Sequence, residues 1–109
     1  MHIVGYRNMW VIVMFDLPTD TPKARRDYTE FRKFLLNDGF VMMQYSVYSR
    51  HCPSQENADV HTRRIERHIP PDGEVRVFSI TDKQFERMRI FWGKVRQPPE
   101  SAPKQLQFF

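Results

Sequence analysis

A carboxylate ends the most apolar run of this chain: MWVIVMFDLP, residues 9–18, carries no charge until Asp16. Alternate residues of an extended strand share a face. Asp16 therefore lies with Trp10, Ile12 and Met14 at the rim of an apolar surface, while Phe15 takes the other side. Closing that surface against a two-fold copy would bring two Asp16 carboxylates together. Paired carboxylates raise each other's pKa unless a cation separates them, and hard oxygen donors suit Mg2+ or Mn2+. An ion held there would polarise a phosphoryl oxygen and activate water, which is phosphodiesterase chemistry. The competing use is structural, an Asp that closes a strand and hydrogen-bonds the following turn.

Cations form the second group. Lys23, Arg25 and Arg26 follow the strand by about one helical turn, and Arg63, Arg64 and Arg67 lie together further on. Both sets suit contact with a phosphate backbone. Asp27, Glu30, Glu56, Asp59 and Glu66 are interleaved with them, however, as on any solvated helix surface. Other chemistry finds little support. No histidine stands near enough in sequence to activate Ser46 as a nucleophile. Tyr45 and Tyr48 read as packing residues, and His61 and His68, seven apart, as filling a seam. The single Cys52 with His51, His61 and His68 offers no zinc spacing and no internal disulfide.

These residues need elements to position them. Residues 9–17 read as a strand closed by Pro18. Residues 20–38 read as a helix whose Ala24, Tyr28, Phe31 and Leu35 form one apolar stripe, starting at Asp20 or Thr21 before Pro22 and stopping at Asn37, Asp38 and Gly39. FVMMQYSVYS, residues 40–49, is rich in strand formers and broken near Gln44 and Ser46, where a bend or change of partner is expected. Ser54 caps a second predicted helix over 55–69 with Ala58, His61, Ile65 and Ile69 inward. After a Pro-Pro-Asp-Gly turn, EVRVFSIT reads as a further strand, with Val75 and Val77 on one face and Arg76, Phe78 and Ile80 on the other. DKQFERMRIFW, residues 82–92, is shorter and helical or mixed.

The whole fits one domain of 109 residues, 40% of them hydrophobic, with nine Phe, four Tyr and two Trp available for a core. A net charge of +4 favours polyanionic partners without requiring them. No run is long enough to cross a bilayer and no secretory leader is evident, so the chain reads as cytoplasmic. The order of elements predicts a ferredoxin-like α+β fold, βαββαβ, with an antiparallel sheet and both helices on one face. The first strand is apolar on both faces, yet two helices cover only one. A homodimer packed through the other face is the expected remedy. The domain is expected over 1–96, with 1–8 as an extension and 97–109 as a tail ending in an apolar hook.

VIVMFDLPTDTPKARRDYTEFRKFLLNDGF, VMMQYSVYS and EVRVFSIT together closely resemble the small adaptation protein of CRISPR systems, the Cas-two family, over roughly residues 9–92. The NDGFVMMQYSVYSR stretch and the N-terminal extension look most like members from type II systems. The resemblance implies a ferredoxin-like homodimer in which Asp16 occupies the position of the family's proposed metal ligand, for Mg2+ or Mn2+. It implies two roles of different kinds. The first is a scaffold in spacer acquisition that binds duplex DNA and bridges two dimers of the integrase subunit. The alternative is a magnesium-dependent endonuclease on RNA or duplex DNA that uses paired Asp16. Lys23, Arg25 and Arg26 match the family's duplex-contacting region, and residues 97–109 the segment that adds a strand or docks on the integrase. One departure stands out: Phe15 precedes the Asp where the family often has tyrosine, which removes a hydroxyl from the nuclease alternative and nothing from the scaffold.

Overall fold

The computed structural model describes residues 8–94, so the predicted tail over 97–109 and most of the N-terminal extension lie outside the described residues. β1 (Met9–Asp16), α1 (Pro22–Asn37), β2 (Val41–Gln44), β3 (Val47–Cys52), α2 (Gln55–Glu66), β4 (Glu74–Thr81) and α3 (Asp82–Glu86) follow one another along the chain. The four strands form one sheet in the order β2-β3-β1-β4, with every neighbouring pair antiparallel. This is the ferredoxin-like α+β arrangement expected from the order of elements. β1 is central, as its apolar character on both faces requires.

Local signals set the helix ends. The Thr21 hydroxyl accepts a hydrogen bond from the Ala24 amide at 3.0 Å, and Pro22 stands where a helix needs no donor. At the other end Gly39 takes φ +90°, a conformation that favours glycine, and lets the Phe40 amide reach back to the Leu35 carbonyl at 2.9 Å. Ser54 caps α2 through the Asn57 amide. The break expected near Gln44 and Ser46 is a hairpin: the β2–β3 register shifts between Met42 and Gln44, and Ser46 turns the chain at φ +65°.

The core lies between the sheet and the two long helices. Val11, Val13 and Phe15 of β1 point into it and meet Phe31 and Leu35 of α1, Tyr48 and Cys52 of β3, and Ala58 and Ile65 of α2. Phe15 sets edge-on against both Tyr28 and Phe31. Burial pushes the Cys52 thiol above its ordinary pKa, with a smaller opposing effect from Arg50, so this cysteine is a packing residue.

The reach of the second helix needs correction. The second helix ends at Glu66 rather than 69, and Ile69 is 45% exposed instead of inward. Pro70 disfavours the helical region for the residue before it, and the Arg67 amide already closes the helix on Arg63 and Arg64. The mixed segment 82–92 is helical only over α3, which a capping box between Thr81 and Gln84 starts. α3 belongs to the sheet face away from the long helices. Its Phe85 stacks on Trp10 at 3.8 Å, and the Trp10 indole N–H donates to Asp82 at 2.6 Å. The face expected to be bare is therefore covered at its Trp10 end and open at its Asp16 end.

Candidate functional site

Asp16 sits where the sequence predicts, at the last position of β1 on the face away from α1 and α2, and it is exposed. Its carboxylate makes no hydrogen bond or ion pair among the described residues, so the structural use as a turn acceptor does not apply. What surrounds it comes from β4, whose pairing with β1 puts Glu74 directly opposite Asp16 and Arg76 opposite Met14. Directly opposite residues of antiparallel strands share a face, so Asp16, Glu74 and Arg76 form one charged cluster. Arg76 grips Glu74 with two bonds, Nε to Oε1 at 3.3 Å and an Nη to Oε2 at 3.2 Å.

The turn before β4 fixes this register. Gly73 has φ +94°, and a Cβ there would stand 2.7 Å from the Asp16 carbonyl oxygen and 2.8 Å from a Leu17 methyl carbon. Gly73→Ala combines positive-φ strain with a backbone clash and is expected to cost about 2 kcal/mol. A urea titration of the variant checks this, and an unchanged midpoint would show that the turn yields freely.

Among the described residues no group of three or more His, Cys, Asp or Glu gathers where a metal ion could bind. One chain offers Asp16 with Glu74 beside it, and Glu74 is committed to Arg76. That donor set does not fit a divalent cation by itself, and an ion at Asp16 would need oxygen donors from a second copy.

The predicted cations belong to the helix layer on the other side of the sheet. Lys23, Arg25 and Arg26 occupy the start of α1, where no acidic residue stands in the first turn. A helix start is already positive, so three cations there oppose the helix dipole and together favour an anion. Lys23 pairs with Asp27 at 2.8 Å, and an Nη of Arg25 donates to the Thr19 carbonyl at 3.0 Å. Arg25, Arg26 and Lys33 line one open hollow with Pro22, Thr29 and Glu30. On α2, Arg63 is exposed, as is Arg67 at its end, and neither side chain bonds another described residue.

Arg64 is engaged differently. An Nη donates to Asp38 Oδ1 at 2.7 Å, while the buried His61 ring meets Asp38 Oδ2 through Nδ1 at 2.7 Å. Burial pushes the Asp38 carboxyl up, but bonds from His61 first and Arg64 second overcome that and leave it below the usual carboxylate range. An ionised Asp38 only accepts, so the His61 Nδ1 carries the hydrogen. Arg50 of β3 also donates to the Asp38 carbonyl at 2.8 Å, which ties the end of α1 to α2 and to the sheet.

The family model for CRISPR associated protein Cas2 matches residues 9–88. The chain belongs to the Cas2 family. It is 63% identical over 101 residues to a Parvibaculum lavamentivorans protein named CRISPR-associated endoribonuclease Cas2, covering 93% of this chain and 100% of that one. A Flavobacterium psychrophilum protein of the same name is 50% identical over 104 residues, with 95% and 90% covered. A crystal structure of Streptococcus pyogenes Cas2 at pH 6.5 superposes with a TM-score of 0.57 at 24% identity, covering 77% of this chain and 99% of that one, and shares the fold. Among the described residues no helix is long and apolar enough to cross a membrane.

Glu74 and Arg76 are the members of the cluster that the sequence does not reveal as Asp16's neighbours. The only signal is the parity of EVRVFSIT, which puts Arg76 with Phe78 and Ile80, and parity says nothing about register.

Proposed function

We propose that this Cas2-family chain acts as a homodimer in CRISPR spacer acquisition, holding duplex DNA by its phosphates and bridging the integrase subunits. The observation that carries this is spatial separation. The exposed cations Arg26, Arg63 and Arg67 belong to the helix layer, and Asp16 projects from the opposite face of the sheet. A duplex lying on the helix cations does not need Asp16. The open sheet face beyond Asp16 is left for the second copy, with Met14 36% and Phe78 44% exposed on it.

A phosphate-only contact releases counterions and reads no bases. Binding of a short duplex is therefore expected to fall linearly on a plot of log affinity against log salt, with little dependence on sequence. Fluorescence anisotropy with two unrelated duplexes tests this, and a flat salt plot would contradict it.

A second reading has a specific support in the relatives' name, endoribonuclease. On that reading two Asp16 carboxylates, one from each copy, hold Mg2+ or Mn2+ and cleave RNA. The exposed, unbonded carboxylate at the rim of the open face suits it. Cleavage that disappears in Asp16→Asn and with chelator would favour this reading, and cleavage that survives both would remove it.

A further inference from the structure

The open half of the sheet face mixes apolar and charged groups in a self-complementary way. Met14 and Phe78 stand beside Asp16, Glu74 and Arg76 on the two paired strands. Nucleic acid is a poor occupant, because the two neighbouring carboxylates outnumber the one cation, Arg76, which is already bonded to Glu74, and Met14 and Phe78 beside them are apolar. A second copy of the chain is a good one. In a two-fold interface each patch meets its own image, so a cation on one copy can answer a carboxylate on the other.

The guanidinium geometry specifies which one. Arg76 spends one edge, Nε and one Nη, on Glu74 of its own strand at 3.3 and 3.2 Å. Its other Nη makes no hydrogen bond among the described residues, and neither does the Asp16 carboxylate. Arginine can hold two carboxylates at once through its two edges. We infer that Arg76 of each copy donates its free edge to Asp16 of the other, so that the partner subunit's Arg76 completes the Asp16 site. Two Glu74–Arg76–Asp16 chains then flank the two-fold axis, and the paired Asp16 carboxylates are neutralised by protein without a metal ion. This inference rests on the homodimer reading.

Sedimentation equilibrium of the full chain tests it. Arg76→Glu is expected to raise the dimer dissociation constant on the order of 30-fold. Asp16→Arg combined with Arg76→Glu restores the opposite charges and returns it to within about threefold of wild type. Chelator leaves the wild-type dimer unchanged. Arg76 is exposed, so thermal melts of the variants should match wild type at monomer concentrations. If Arg76→Glu does not fold, Arg76→Gln gives the same reading with a weakening of about fivefold. The pairing is overturned if these Arg76 variants dimerise as tightly as wild type, if the double variant is no better than Arg76→Glu, or if chelator dissociates the dimer. A wild-type chain that stays monomeric at the highest concentration overturns the homodimer reading itself, and the pairing with it.

Discussion

Asp38→Ala is expected to destabilise the fold by about 3 kcal/mol, because it strips a buried imidazole and a guanidinium of the same acceptor. The side chains of His61 and Asp38 are 4% and 9% exposed, so water does not readily replace the lost bond, whereas Arg64, at 50%, recovers solvent. For a domain of this size the loss corresponds to a fall of roughly 15 °C in melting temperature, readable by circular dichroism. Asp38→Asn keeps an oxygen acceptor and should recover part of the loss. A melting temperature within a few degrees of wild type for Asp38→Ala would show that the network contributes little.

The same carboxylate gives a pH signature. Its folded-state pKa lies below its unfolded value, so the unfolded chain takes up the proton first as the solution is acidified. The stabilisation is fully present above about pH 5 and is lost as pH falls below about 4 and through the folded value. The stability gap between wild type and Asp38→Asn should therefore be constant near neutrality and close in acid. A gap that widens on acidification would reverse the sign and contradict the assignment.

The second large effect concerns nucleic acid. Arg63→Glu combined with Arg67→Glu is expected to weaken duplex binding on the order of a hundredfold or more at low salt and to make the log–log salt slope shallower by about 2 for each copy that touches the duplex. These two positions suit the experiment because their side chains bond no other described residue, so the fold should tolerate the change. Arg64 does not suit it, since losing Arg64 also strips Asp38 of a partner. Anisotropy titrations between low and physiological salt measure both quantities. Unchanged affinity and slope would move the duplex off α2.

What the sequence shows and what it hides divides along the distance between interacting residues. The caps at Thr21 and Ser54, the glycine stop at Gly39 and the inward stripe of Phe31 and Leu35 depend on neighbours within a few positions, and each is legible from composition and spacing. Asp16 is legible for the same reason, since a charge ending an apolar strand needs no partner to be noticed. The apolar period that points Ile69 inward runs on past the helix end at Glu66, where Pro70 disfavours helical backbone just before it. Glu74 and Arg76 join Asp16 only through the β1–β4 register, across 58 positions in the case of Glu74, and no local pattern encodes that. Asp38 illustrates the same limit. It reads as a helix stop, and its second role emerges only when His61 and Arg64 arrive from α2, 23 and 26 residues away. The part α3 plays in covering the open face is not legible in the sequence, because five residues carry too little periodicity to declare a side.

On the proposed reading this Cas2-family protein serves spacer acquisition through its dimer and its helix-layer cations, and the Asp16 carboxylate does no chemistry in that task. The most direct measurement is spacer acquisition in cells that supply the integrase together with either wild type or Asp16→Asn. Acquisition by Asp16→Asn close to the wild-type level is predicted when the variant is expressed at a concentration where it is dimeric. Acquisition abolished by Asp16→Asn, in a protein that still folds and dimerises, would contradict the claim and return the carboxylate to the centre of the function.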